Sequence, residues 1–540
     1  MAKRCCVLIL AATIVALALR LPRLDQRPMH GDEAVHADKF RSLLEQRHYE
    51  YDPIEYHGPT LNYLTLIPAW LTGAKNLTQV SEFTLRIVPV FFGVCLILLL
   101  LPMARGLGTG AVAYAAVLTA ISPAMVYYSR YYIQEMLLVC FTFGAIVSGY
   151  RYTQSRNIGW ALSAGVFLGL MHATKETCVI AFAAMFLAML LVLYIQRRQD
   201  SSENAGKAIK PSHLIAGLAA GVIVSALFFS SFLSNPTGIV DSIRTLATYL
   251  DRAGSTPLHI HPWHYYLKML VYSKFAGGPV WTEALIVLLA AVGFIAALTR
   301  KNPSGANLGL LRFIAFYTLT MTVVYSAIPY KTPWCLLGFL QGMILLAGIG
   351  AVVLVKLAPN ALPRLIVLFL LFGASAHLTW QAYRSSYTYD SDSRNPYVYA
   401  HPTREIFTVV EKIQEYADVH EDGRDMPIEI ICPGDDYWPL PWYLRSFTRV
   451  SWSSRVVDNS SAAPLIIASA SPDIEAALAN KLYTLIPPQE RKIYMYLFDK
   501  PYYMWLRPKI KLLGFVRRDL WTAVSEKQMP EVQIQKEGEK

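Results

Sequence analysis

The chain alternates between long apolar runs and short polar connections, and this pattern is the main guide to its fold. A helix needs about 20 apolar residues to cross the hydrocarbon layer of a bilayer. Eleven runs approach that length, and the fifth of them is short and contains glycines. We therefore predict membrane-spanning helices at about 5–21, 84–104, 108–128, 132–150, 158–173, 177–195, 213–233, 281–299, 312–329, 334–355 and 364–381.

The region after the last apolar run has a different pattern. Its segment REIFTVVEKIQEYA has helical periodicity, and SPDIEAALAN is typical of a capped helix. Three short apolar runs have the length of strands: PIEIIC, PLIIASAS and RKIYMYLF. We predict a transmembrane domain at 1–381, with long outer loops at 22–83 and 234–280. A small soluble α/β domain at 382–540 would follow, after the polar linker SSYTYDSDSRNPY.

The composition supports a polytopic α-helical membrane protein. The 540 residues are 54% hydrophobic and 16% charged, whereas soluble domains contain about 25% charged residues. The seven cysteines form no CxxC pair, so neither a disulfide scaffold nor a zinc ribbon is indicated. No internal repeat of 20–50 residues is evident.

The net charge of +11 reflects membrane topology rather than nucleic-acid binding, because the basic residues are scattered beside apolar runs. Lys and Arg mark cytoplasmic loops. If the N-terminus is cytoplasmic, all inner connections are basic: Arg105; Arg151 and Arg156; Arg197, Arg198, Lys207 and Lys210; Arg300, Lys301 and Arg312; Lys356 and Arg364. We therefore predict a multi-pass protein of the cell membrane with an extracytoplasmic C-terminal domain.

The N-terminal run has an alternative interpretation as a signal peptide. Residues 3–18 have a basic start and an apolar core, and Ala16-Leu17-Ala18 resembles a cleavage site. The apolar run continues beyond this site into Leu19-Arg20-Leu21-Pro22, which favours a retained helix end.

In the predicted topology, unusual polar clusters all lie at the outer ends of the helices. Polar groups at such positions are costly unless they serve a site. The clusters are MHGDEAVH with Asp32 and Glu33, EYHGPTLNYL with His57, YYSRYYIQE with Arg130 and Glu135, HATKET with Lys175, HIHPWHYYLK with His261, Trp263 and His264, and PYKTPW with Tyr330, Lys331 and Trp334. Their convergence on one side predicts a functional site there.

Each cluster also has a structural alternative. Asp32 and Glu33 suit the N-terminus of an interfacial helix, and Arg130 with Glu135 suits a snorkelling pair. Lys331 suits a topology anchor, and HIHPWHYY suits an aromatic belt. A zinc protease is excluded because the position four before His36 is Asp32, which breaks the HExxH motif.

The chain resembles the C-type integral-membrane glycosyltransferases over roughly residues 5–380. Within that superfamily it is similar to the protein O-mannosyltransferases and the lipid A aminoarabinose transferases, and most of all to the flippase-activity-associated membrane proteins. The resemblance rests on the topology and on four motifs: the DE pair in HGDEAVHAD, the proline in YHGPTLNYL, the R-x-x-x-x-E pattern from Arg130 to Glu135, and the lysine of YKTPW.

This resemblance implies a polyprenyl-phosphate-linked sugar donor and an acceptor on the outer face. It implies that Asp32 is the catalytic base and that Glu135 is a second acid of the site. Glu33 is a further catalytic candidate, which could orient a helix, hold a cation or contact the acceptor. His57 stands where relatives often have an acid, and Gly58 where some have a lysine. A divalent cation at Asp32, His57 and Glu135 is left open as a cofactor.

The residues are consistent with this chemistry. A hydroxyl acceptor needs a base, and a leaving phosphate needs positive charge, which Arg130, Lys175 and Lys331 can supply. Rings suited to bind substrate are His57, His261, Trp263, His264, Tyr330 and Trp334. The acceptor could be a glycolipid, a polysaccharide or a protein. The alternative is a non-catalytic flippase or transport accessory, although transporters typically show repeats and polar groups near the bilayer midplane.

Overall fold

The computed structural model describes residues 2–54, 57–199, 210–255, 259–299, 304–457 and 462–528. The chain forms two compact units. The first contains Met1–Asp25 and Lys39–Tyr399, and the second contains Gln26–Asp38 and Ala400–Lys540. Lys207, Arg300 and Lys301, which entered the prediction of orientation, lie outside the described residues.

Helices dominate the first unit, and the apolar runs explain most of them. The helices up to its end are α1 (Ala2–Arg20), α2 (Gly31–Gln46, which begins in the second unit), α3 (Thr60–Leu71), α4 (Glu82–Leu98), α5 (Ala104–Leu107), α6 (Thr109–Ile121), α7 (Pro123–Ser129), α8 (Glu135–Ser155), α9 (Ile158–His172), α10 (Cys178–Gln199), α11 (Pro211–Phe229), α12 (Thr237–Ser255), α13 (Tyr265–Val271), α14 (Ala284–Leu298), α15 (Leu308–Ala327), α16 (Leu337–Leu357) and α17 (Ala361–Tyr383).

Every predicted span coincides with a helix, but the number eleven stays a prediction. Within the described part of the chain, seven helical stretches are long and apolar enough to cross a membrane. An eighth would be α6 with α7, which meet at 58°, and α9 and α14 are shorter apolar helices. On α17, Phe369 and Phe372 are 72% and 75% exposed, as expected for a face in contact with lipid. The chain is a multi-pass membrane protein.

Small residues allow close approach between helices. This is usual in membranes, because lipid tails are as apolar as the side chains and helices associate mainly through close packing. A Cβ atom on Gly165 of α9 would lie 1.9 Å from the carbonyl oxygen of Gly217 on α11. The two backbones are therefore in direct contact, which a larger residue would prevent.

The predicted linker is packed rather than extended in solvent. The Tyr397 hydroxyl donates to Glu283 at 2.7 Å. The Asn395 amide donates to the carbonyls of Ser385 and Tyr389, at 3.0 and 2.9 Å. Residues 382–399 accordingly group with the first unit, although the polar composition of this segment had placed the domain boundary at 381.

The second unit is a small α/β domain, as predicted. Its strands are β1 (Ile428–Ile431), β2 (Val450–Ser453), β3 (Leu465–Ser469), β4 (Tyr494–Tyr496), β5 (Met504–Arg507) and β6 (Ile510–Arg517), and its helices are α18 (Glu405–Ala417), α19 (Leu440–Tyr443), α20 (Pro472–Ala479) and α21 (Arg518–Gln528). The sheet order is β2-β1-β3-β6-β4, with β5 also paired to β6. β1 is parallel to β2 and β3, and the other pairs are antiparallel.

The core of this domain follows the sequence pattern. Ile406, Val409 and Ile413 lie on one face of α18 and are buried with Ile428 and Ile430 of β1. The predicted helices α18 and α20 and the predicted strands β1, β3 and β4 all form. The second unit also contains residues 26–38, which the sequence had assigned to the first outer loop.

Candidate functional site

Asp32 lies in the first turn of α2, where a carboxylate is favoured by the helix dipole. Its backbone N–H donates to the Nδ1 atom of His30 at 3.0 Å, and its Oδ1 atom lies 3.7 Å from the same nitrogen. The Asp32 side chain is 47% exposed, whereas that of His30 is 6% exposed. The helix-terminus interpretation is thus correct for position, and it leaves the carboxylate open to solvent and to a reactant.

Glu33 has different surroundings. Its side chain is fully buried, and its Oε1 atom accepts a bond from Arg27 at 3.1 Å. Its Oε2 atom accepts the backbone N–H of His30 at 3.0 Å. These contacts close the turn that precedes Asp32. The geometry favours a structural role for Glu33, holding the residues beside the base.

In the first unit, the loop between α9 and α10 brings several predicted site residues together. The Lys175 ammonium forms an ion pair with the Glu135 carboxylate at the start of α8, and both side chains are buried. The next residue, Glu176, lies 2.8 Å from the Nδ1 atom of His57 and accepts a bond from the Tyr51 hydroxyl at 3.3 Å. Two groups expected to act separately, Lys175 on phosphate and Glu135 as an acid, therefore compensate each other's charge.

The electrostatics of Glu176 depend on its histidine partner. Burial acts to raise the pKa of Glu176, but His57, a backbone hydrogen bond and the charge of Lys175 together hold that pKa below its usual value. The pair therefore connects the first outer loop to the α9–α10 loop through an ionised carboxylate.

The residues after His57 pack directly on the same loop. A Cβ atom on Gly58 would lie 2.2 Å from the carbonyl oxygen of Ala173. The Thr60 N–H donates to that carbonyl at 3.2 Å, and the hydroxyls of Thr60 and Thr174 are 2.8 Å apart. The lysine that some relatives have at the position of Gly58 has no room here.

Arg130 is buried against backbone carbonyls. Its Nη1 atom donates to Arg20 and Pro22, each at 2.7 Å, and to the Tyr387 hydroxyl at 3.1 Å. The guanidinium also lies 4.5 Å from the centre of the Tyr387 ring. A cation at the C-terminal end of α1 is favourable, so these contacts fit a structural role, and phosphate binding by Arg130 stays a prediction.

Lys331 is buried in the loop between α15 and α16 of the first unit. Its ammonium donates to the carbonyl of His261 at 3.2 Å and to that of Ile328. Burial lowers the pKa of Lys331. Carbonyl oxygens satisfy hydrogen bonds but carry no full negative charge, so these contacts leave the ammonium suited to an anion.

The predicted aromatic groups lie on the two segments that flank Lys331. An antiparallel bridge joins Ile260 to Tyr330. The ring contacts around this bridge are His259 with Tyr330 at 5.2 Å, His261 stacked on Tyr265 at 4.1 Å, Trp263 with His264 at 5.4 Å, and Trp334 with Tyr128 at 6.3 Å. Segments 259–266 and 328–334 are thus joined by a bridge, and both are rich in aromatic residues.

No group of three or more His, Cys, Asp or Glu side chains in the described ranges is arranged to hold a metal ion. The structure therefore provides no support for the cation considered at Asp32, His57 and Glu135.

Comparison with known proteins agrees with this architecture. The family described as dolichyl-phosphate-mannose-protein mannosyltransferase matches residues 65–228. No curated protein sequence matches the chain. Among solved structures, ArnT from Cupriavidus metallidurans in the apo state is similar, with a TM-score of 0.61 at 14% identity over 94% of this chain and 97% of that one. The fold is that of the C-type integral-membrane glycosyltransferases.

Two further structures with this C-type fold contain lipid phosphates. The same ArnT bound to undecaprenyl phosphate matches with a TM-score of 0.60, at 14% identity and the same coverage. The oligosaccharyltransferase AglB from Archaeoglobus fulgidus, in complex with an inhibitory peptide and a dolichol-phosphate, matches with a TM-score of 0.53 at 11% identity, over 94% of this chain and 74% of that one.

The matched family region, residues 65–228, contains Arg130, Glu135 and Lys175 but not Asp32 or Lys331.

The sequence analysis assigns no role to Glu176. The sequence feature that could have indicated a role is its position beside Lys175 in HATKET, at the outer end of a predicted span.

Proposed function

We propose that this protein is a glycosyltransferase that moves a sugar from a polyprenyl-phosphate-linked donor to an acceptor hydroxyl on the outer face of the membrane. Asp32 acts as the general base and the anomeric centre is inverted. The C-type fold and the lipid phosphates bound by structures of similar fold support the donor class.

The observation that carries the assignment of the base is the contrast between Asp32 and its neighbours. His30 and Glu33 are buried and hydrogen-bonded, whereas the Asp32 carboxylate is 47% exposed at a helix N-terminus. A carboxylate that is accessible while its backbone is held in place supports a role as general base, which needs contact with the reactant.

In the reaction, the acceptor oxygen forms a bond to the anomeric carbon as the bond from that carbon to the donor phosphate oxygen breaks. The acceptor proton moves to Asp32, and polyprenyl phosphate leaves with the bonding electrons. Buried Lys331 supplies positive charge for the departing phosphate. A single displacement of this kind inverts the anomeric centre and needs no covalent sugar–enzyme intermediate.

The test is Asp32→Asn, measured by transfer from a lipid-phosphate sugar donor in membranes and normalised to protein amount. Asn caps a helix as well as Asp but cannot accept the proton, so we expect a loss of at least about 10²–10⁴-fold with normal membrane insertion. Asp473→Asn is a matched control, because Asp473 is also an exposed acid in the first turn of a helix, α20.

Two results would contradict the proposal. Normal transfer by Asp32→Asn would make this carboxylate structural. A deletion strain that accumulates lipid-linked sugar but loses no specific glycan linkage would favour the flippase accessory. Mass spectrometry of the lipid-linked sugars and of the envelope glycans in that strain provides this test.

A further inference from the structure

The segment that carries Asp32 is fastened to the C-terminal domain, within the second compact unit. The backbone N–H of Met29 donates to the Tyr443 hydroxyl at 2.8 Å. Tyr443 is the last residue of α19, and its ring packs edge-on against Phe407 of α18 at 5.8 Å. A residue of the C-terminal domain thereby fixes the backbone three positions before the base.

Two more contacts fix the residues between Met29 and Asp32. A Cβ atom on Gly31 would lie 3.7 Å from the Cβ atom of Trp438. The His30 ring lies 4.7 Å from the His401 ring. His30 in turn accepts the backbone N–H of Asp32, so the chain of contacts runs from the domain to the base without interruption.

The loop that provides the Trp438 contact is itself held by the sheet. Residues 432–439 follow β1, which is paired on both sides with parallel strands. Arg507 of β5 donates to the Trp438 carbonyl at 3.1 Å and forms an ion pair with Asp436. The loop is therefore anchored at the carboxyl end of a parallel strand, a position at which α/β domains commonly place functional groups.

We propose that the C-terminal domain is part of the catalytic apparatus and that Tyr443 is a positioning residue for Asp32. This inference rests on the proposed function. Displacement of a catalytic group by about 1 Å can reduce a rate by about 100-fold, so the hydroxyl of Tyr443 matters even though it touches no reactant. The C-terminal domain holds the Asp32 segment in position and is not an independent binding module.

The test compares Tyr443→Phe with Tyr494→Phe. The first keeps the aromatic ring and loses the bond to Met29. The second loses a matched bond in the same domain, from the Tyr494 hydroxyl to the Ala463 carbonyl at 2.8 Å. We expect Tyr443→Phe to lower kcat by about 10- to 100-fold with the KM for the donor unchanged, and we expect Tyr494→Phe to keep kcat within twofold of wild type.

Hydrogen–deuterium exchange provides a readout that is independent of activity. Amide exchange in residues 29–33 should accelerate in full-length Tyr443→Phe and stay unchanged in Tyr494→Phe. A kcat for Tyr443→Phe equal to that of Tyr494→Phe, or unchanged exchange in 29–33, would overturn the positioning role. Full activity of Asp32→Asn in the same assay would instead show that the proposed function has failed.

Discussion

The Nδ1 atom of His57 lies 2.8 Å from the Oε2 atom of Glu176, across 119 residues of sequence. This contact, with a backbone hydrogen bond and the charge of Lys175, holds the pKa of Glu176 below its usual value of about 4.5 in spite of burial. A carboxylate with a lowered pKa contributes stability that is present above its unfolded-state pKa and lost as the pH falls through its folded-state pKa.

We therefore expect His57→Gln to lower the melting temperature at pH values above about 4.5. The difference from wild type should shrink as the pH falls below about 4.5, because Glu176 becomes protonated in both proteins. Thermal unfolding in detergent across pH 3.5–8 measures this, with exposed His264→Gln as the control. A difference that stays constant over this range would show that the charge of Glu176 is not involved.

Gly58 tests the close packing between the first outer loop and the α9–α10 loop. Gly58→Ala places a Cβ atom 2.2 Å from a backbone carbonyl, so one segment must move, and we expect a cost of about 1–3 kcal/mol from overpacking. Gly149→Ala is the control, since nothing lies within 4 Å of its added Cβ atom and alanine favours the helix. Equal unfolding temperatures for the two variants would disprove the contact.

Removing one charge of the buried Lys175–Glu135 pair should lower the free energy of unfolding substantially. Glu135→Gln leaves the Lys175 charge without this carboxylate, and removing one partner of a buried pair costs about 3–5 kcal/mol. The double variant Glu135→Gln, Lys175→Met should recover part of that loss. Asp519→Asn, which breaks an exposed pair with Arg517, should cost less than about 1 kcal/mol. Chemical unfolding measures these three variants and the single variant Lys175→Met, and additive losses in the double variant would argue against a coupled pair.

Lys331 tests the donor site. Lys331→Ala should raise the KM for the lipid-phosphate donor more than Lys331→Arg does, because positive charge matters more than shape at a phosphate. Lys268→Ala removes an exposed lysine from α13 and serves as the control. A normal donor KM in Lys331→Ala would make its carbonyl contacts with His261 and Ile328 purely structural, and would direct attention to Arg130 and Lys175.

The sequence was sufficient for the long apolar helices and for the class of fold, because long apolar runs and the strand-length segments of the tail are local signals. It was insufficient for contacts between residues that are far apart in the sequence. Nothing in YYSRYYIQE distinguishes Lys175 from Arg130 as the partner of Glu135, since that choice depends on how α8 and the α9–α10 loop pack. Likewise, the polar composition of residues 385–397 indicated a linker, but the buried contact of Tyr397 with Glu283 ties it to the first unit.

The contact between Met29 and Tyr443 joins residues that are 414 positions apart, and this separation has a consequence for biosynthesis. At about 5–20 residues per second, roughly 20–80 s pass between translation of the Asp32 segment and translation of α19. During that interval the backbone N–H of Met29 has no Tyr443 hydroxyl as its acceptor. Under the proposed positioning role, the Asp32 segment reaches its final geometry only after α19 has been translated.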